Sequence, residues 1–295
     1  MTLLFEIRVK EMKNWKGIYI SGVAVLALLV SSVNAAEIQP HRIVSVGGAI
    51  TEIIYALGSE NRIVGVDSSS LWPQQAKSFP QIGYQRALSA EGILSLSPDL
   101  ILATEDAGPL ATLAQLKKVG VRLTVVPNKP TIDGILGKIR AVAEAIGKKS
   151  EGRILVSKTK QKMQQLQDHL AQFNVKPKVM FLFSAGRGSP MVSGSDTSAN
   201  GMIIHAGGIN AVNEFEGYKP LNTEAMIAAR PDVILTTERS LKMLGGLVKL
   251  MTLPGMLQTP AGQLGNVFAM DGLLLLGLGP RTPQAAAELG KLLHP

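Results

Sequence analysis

Gly83-Tyr84 opens a stretch that continues through Ser89, Glu91 and Pro98-Asp99-Leu100-Ile101-Leu102. The same order returns, one residue shorter in its loop, at Gly217-Tyr218, Asn222, Glu224 and Pro231-Asp232-Val233-Ile234-Leu235. A repeat at this separation is too long for a solenoid and predicts two domain-sized copies of one unit, with function between them. Chain length agrees, because about 260 residues remain after an expected leader, more than a single core usually organises.

That leader is residues 1–36. Arg8, Lys10, Lys13 and Lys16 precede the apolar run Ile18 to Val30, and Ser31 to Ala36 supply the small side chains a signal peptidase needs. The run is shorter than the ~20 residues that span a bilayer, so cleavage after Ala35 or Ala36 is expected rather than an anchor. Met12 is an alternative start. The 295 residues contain no cysteine, which leaves no disulfide, no thiolate metal site and no cysteine for a lipid anchor. A soluble periplasmic protein is expected. The net charge of +8 falls to +6 without the leader, and the basic residues are scattered among few aromatics, a poor match to a nucleic-acid surface.

Continuous apolar strands alternate with helical patterns along the rest of the chain. Strands are expected at 42–47, 63–66, 99–103 and 123–126, with helices at 51–57, 110–119 and 132–146, and this alternation predicts a parallel sheet covered on both faces. From Ser150, a candidate N-cap, to about Phe173 the apolar positions recur at helical spacing in a Lys- and Gln-rich segment. Strands at 179–183, 233–236 and 266–270 follow, with helices at 199–206, 223–229, 241–251 and 282–293. The fold class is therefore α/β, with two similar lobes of parallel sheet (37–149 and 175–295) joined by one long helix (150–174). Ligands of such sheets bind at the loop ends, where both Gly-Tyr segments fall.

Several chemistries lack their residues. No G-x-G-x-x-G, Walker loop or G-x-S-x-G elbow appears, so a hydrolase or nucleotide-dependent enzyme is an unsupported alternative. His41, His169, His205 and His294 form no cluster suited to Zn or Mn. Glu91 and Glu224 stand two residues after their cap candidates, where a carboxylate stabilises the helix dipole. Tyr84, from its loop position alone, is open to either local packing or ligand contact.

Arg42 to Ser45, Glu52 to Gly58, the two Pro-Asp strands and the long middle helix resemble the periplasmic substrate-binding proteins that feed ABC importers of iron-siderophores, cobalamin and haem, over residues 41 to 293. Gly83 to Gly92 together with Gly186 to Gly194 is similar to the haem-binding branch. The resemblance implies a class III periplasmic binding fold, no catalytic activity and ferric haem b as the transported ligand. A siderophore or cobalamin is the alternative cargo. It also implies Tyr84 as axial ligand to the iron, a hard phenolate donor suited to Fe(III), with Arg86 or Arg239 as the favouring cation. Met191, Val192 and Tyr218 are expected against the macrocycle. Glu91 and Glu224 are expected to meet the two permease subunits of the importer, and an outer-membrane haem receptor is expected upstream. Two-haem relatives have a histidine in the loop where this chain reads Phe183-Ser184-Ala185-Gly186, so one haem is expected.

Overall fold

The computed structural model of the chain describes residues 39–184 and 190–295. The expected leader and the Ala185 to Ser189 part of the site motif lie outside the described residues. Strand β1 (Ile43–Val46) leads into the helix Gly48–Ala56, then β2 (Ile63–Val66), the hairpin β3 (Gly83–Tyr84) and β4 (Ala87–Leu88), and the helix Ala90–Leu94. Next come β5 (Leu100–Thr104), the helix Leu110–Lys118, β6 (Arg122–Val126) and the helix Ile132–Ala145. The first sheet has order β2-β1-β5-β6 and is parallel throughout.

The helix Lys149–Leu170 follows, 22 residues and so about 33 Å long. It packs along the helices Ile132–Ala145 and Thr282–Leu293. Ser150, the expected cap, sits inside this helix, and Lys148 occupies the N-cap position. The reason is the preceding turn. Gly147 takes φ +72, and the Lys148 amide donates to the Ala143 carbonyl at 2.7 Å, so the new helix starts as soon as the old one ends.

The second half runs β7 (Lys178–Phe183), β8 (Met191–Ser193), the helix Ser198–His205, β9 (Ile209–Asn210), β10 (Tyr218–Pro220), the helix Thr223–Ala229 and β11 (Val233–Thr237). The short helices Glu238–Met243, Leu247–Met251 and Pro260–Leu264, then β12 (Val267–Met270), the helix Gly272–Leu276 and the helix Thr282–Leu293 complete it. Its sheet has order β10-β8-β7-β11-β12, with β9 beside β7. The strands β7, β11 and β12 are parallel as expected, and β9, which was not expected, pairs parallel with β7, but β8 runs antiparallel to both of its neighbours, β7 and β10, so this sheet is mixed. The single helix expected over 241–251 is two helices, because Gly245 and Gly246 both adopt positive φ (+89 and +88) and break it.

Side chains alternate across each central strand. Leu100 and Leu102 of β5, and Val179 and Phe181 of β7, enter one core that also holds Ile139 and Leu289. Their neighbours Ile101 and Ala103 enter a core private to the first sheet. Met180 and Leu182 enter one private to the second. Period-two alternation between two apolar layers is what a sheet covered on both faces requires. The first core is continuous between the sheets, and residues Pro40–Pro295 form one compact unit.

Two polar contacts reinforce that junction. Arg281 donates to both carboxylate oxygens of Glu52, at 3.0 and 2.5 Å, and its guanidinium lies 4.6 Å from the Trp72 ring centre. Burial raises the Glu52 carboxyl above the usual range, and the Arg281 contacts oppose this. Nearby, the Lys138 ammonium in the helix Ile132–Ala145 donates to the carbonyls of Gly277 and Leu278 at 3.2 and 3.0 Å.

Candidate functional site

A cavity of about 310 Å³ lies where the carboxyl ends of the parallel strands converge. From the first half it is lined by Gly47 and Gly48 after β1, Tyr84 and Gln85 of the hairpin, Thr104 and Asp106 after β5, and Val126 and Asn128 after β6. The second half contributes Phe183, then Glu238 and Arg239 after β11, and Asp271 to Leu273 with Leu276 and Gly277 after β12. Loop ends of both sheets thus form one wall system, as open α/β sheets favour. Leu71, Phe183, Leu273 and Leu276 give it apolar surface, while Asp106, Lys138, Glu238, Arg239 and Asp271 supply charge.

Tyr84 sits on a short hairpin whose main chain is fixed although its side chain is 47% exposed. Gly83 takes φ +95, a conformation that favours glycine. The Gly83 carbonyl accepts from Ser68 N at 2.8 Å, and the Gln85 carbonyl accepts from Gly108 N at 2.8 Å. Gln85 and Arg86 form the two-residue turn. The phenol is therefore presented to the cavity by a braced loop.

The repeat partner Tyr218 has a different setting. It pairs with Ser193 across β10 and β8, and its ring centre is 6.2 Å from that of Phe183. It does not line the cavity directly. Burial pushes its phenol above the ordinary range, against the pull of Thr197, Arg86 and Ser193. The residue is 39% exposed, and its hydroxyl is held against Thr197 and Ser193.

Arg239 lies on the cavity wall, exposed, in the first turn of the helix Glu238–Met243. Arg86 does not itself line the cavity, but its guanidinium lies 3.8 Å from Asp106, which does. Met191 is half-buried beside Phe183 in the β7–β8 pairing. Val192 was expected to contact the ligand, but it is 4% exposed and packs in the second private core. Strand alternation is the cause, since neighbours on β8 point to opposite faces. Glu91 and Glu224 are both exposed, each in the first turn of a helix capped by the expected residue. Ser89 Oγ accepts from Gly92 N at 3.3 Å, and Asn222 Oδ1 from Ala225 N at 3.0 Å.

The floor holds residues that the sequence did not single out. Lys138, 3% exposed, donates to Asn128 Oδ1 at 2.6 Å as well as to the two carbonyls already described. Burial pulls its ammonium down to about 8, while Asp106, Glu105 and Glu52 favour the charge, and three oxygen acceptors satisfy its three donors. A signal was present. Ile135, Lys138, Ile139 and Val142 share one buried stripe, so a lone lysine on an apolar face marked a buried cation. Among the described residues no cluster of His, Cys, Asp and Glu is arranged to hold a metal ion. His205 is buried, its imidazole pKa lowered by that burial. His294 stacks on Phe173 at 4.4 Å.

Residues 43–273 match the periplasmic binding protein family. An uncharacterised ABC transporter substrate-binding lipoprotein of Bacillus subtilis is 27% identical over 263 residues, 87% of this chain and 81% of that one. Vitamin B12-binding proteins of Vibrio and Yersinia species match at 22% to 26% identity. Among solved structures, the apo periplasmic haem-binding protein of Roseiflexus sp. RS-1 superposes with a TM-score of 0.84 at 43% identity, covering 86% of this chain and 98% of that one. The periplasmic haem-binding protein BhuT, in complex with two haems, gives 0.81 at 40% identity, covering 85% and 97%.

Proposed function

Because this chain belongs to the periplasmic binding protein family, a family of solute carriers rather than enzymes, we propose that it captures haem outside the cytoplasm and delivers it to an ABC importer. The observation that supports this most is Tyr84, carried on a braced hairpin at the edge of a largely apolar cavity. In this reading the Tyr84 phenolate ligates ferric haem b, with Arg86 and Arg239 supplying positive charge near it. The macrocycle packs against Phe183, Leu273 and Leu276, with Met191 and Tyr218 at the flank. Resemblance to haem binders at 43% and 40% identity favours haem over a cobalamin, whose binders match at 22% to 26%.

The chain reaches its compartment through the cleavable leader at residues 1–36. It carries no lipid, unlike the name given to its Bacillus relative. The lobes 37–149 and 175–295 each present one glutamate, Glu91 and Glu224, to the permease dimer. An outer-membrane receptor supplies the haem.

A hemin titration followed in the Soret region tests the cargo, with cyanocobalamin as the competing ligand. Saturation at one haem per chain is expected. Tight cyanocobalamin binding without a Soret change overturns the haem reading, and saturation at two by monomeric protein overturns the stoichiometry read from Ala185.

A further inference from the structure

A continuous run of polar contacts crosses the cavity floor from one half of the molecule to the other. It starts at the Gly277 and Leu278 carbonyls, which accept from Lys138 Nζ at 3.2 and 3.0 Å. Lys138 also donates to Asn128 Oδ1 at 2.6 Å, and Asn128 Nδ2 donates to Asp106 Oδ2 at 2.7 Å. The other carboxylate oxygen, Oδ1, faces the Arg86 guanidinium at 3.8 Å. The Asn128 main-chain amide is held as well, by Glu105 Oε1 at 2.8 Å. Lys138 and Asn128 are each committed on both sides, so the Asp106 oxygen that accepts from Asn128 is held from below. Arg86 is the mobile member. Its side chain is 60% exposed, and a long exposed cation gains little from a loose ion pair unless the partner is already oriented.

We propose that Asp106 is the positioning residue for Arg86, holding its guanidinium beside the cavity, two residues from Tyr84, and that Lys138 and Asn128 are its anchor in the floor. The proposal deepens the haem reading above and rests on it. Its sign is informative. A carboxylate acting only as a negative charge on the cavity wall repels an anionic ligand such as hemin, whose propionates are ionised. A carboxylate that places Arg86 helps the same ligand. Removing the charge therefore moves affinity in opposite directions in the two cases.

Asp106→Asn keeps the size of the side chain and an oxygen for Asn128. It is expected to weaken hemin binding about threefold to fivefold, the scale of a solvent-exposed ion-pair contribution. In an Arg86→Ala background the same substitution is expected to add no further loss. Tighter hemin binding by Asp106→Asn, or an equal loss in both backgrounds, overturns the proposal. The haem-free protein gives a second readout, the Arg86 Nε–H resonance in nitrogen-15 spectra, which is expected to move in both Asp106→Asn and Asn128→Ala. An unmoved resonance in Asp106→Asn overturns the positioning role, and in Asn128→Ala the anchor. If the parent protein fails to bind hemin, the haem reading falls by itself, and the resonance still decides whether Asp106 holds Arg86.

Discussion

Tyr84 is nearly half exposed on a loop whose main chain is braced from two sides, so a ligand can reach its oxygen without unfolding anything. Tyr84→Ala is expected to lower hemin affinity at least tenfold and to change the charge-transfer bands, both read from one optical titration, with thermal stability near the parent's. An unchanged spectrum and affinity would remove Tyr84 from the ligand set. His205 is the opposite kind of residue. It is 5% exposed, and its Nε2 has no hydrogen-bond partner. Burial lowers its pKa below the ordinary 6.5, so as pH falls through that value the unfolded chain takes the proton before the folded one does. Stability from this group is intact above about 6.5 and is lost below it. Thermal unfolding across that window should show His205→Asn losing less stability on acidification than the parent; equal slopes would clear His205. Tyr84 was singled out through the resemblance carried by its Gly-Tyr motif, because its loop position alone left local packing and ligand contact both open. Val192 was misjudged because a three-residue strand is too short for its alternation to show which neighbour faces inward.

The helices repeat better than the strands do. Ser89 and Asn222 cap equivalent helices with the same side chain-to-amide bond, a local rule that sequence states directly. The equivalent tyrosines part company because β10 joins a sheet by pairing with β8, whereas β3 pairs only with its own hairpin partner. Long-range pairing of this sort leaves no local mark, which is why β8, β10 and the two-residue β9 went unread while β7, β11 and β12, marked by continuous apolar runs, did not. Helix packing has a testable close point at Gly152, where an added Cβ would lie 2.4 Å from the Ala143 Cβ. Gly152→Val should destabilise the protein by about 2 kcal/mol in urea unfolding, since overpacking outweighs the gain in helix propensity. A neutral or stabilising result would mean that the two helices can separate at little cost.

At the scale of the whole molecule, the two exposed glutamates sit in matching frames, one in each half, which suits a partner built from two like subunits. Glu91→Ala with Glu224→Ala should retain hemin affinity and lose about 1 kcal/mol at most from the two helix-end terms, yet fail to stimulate transporter ATPase in proteoliposomes. Normal stimulation by the double variant would leave them as helix-end residues only. The loss should be clearer in the double than in either single variant, because exposed charge pairs are individually weak and screened by salt. The shared core has its own consequence for a chain made in order and passed through a membrane. Ile43, among the first residues to arrive, is buried in the same cluster as Ala285, Leu289 and Leu293, among the last. The helix Thr282–Leu293 packs against the helices Lys149–Leu170 and Ser198–His205, so the apolar face that those two helices turn toward it stays uncovered until the last residues of the chain arrive.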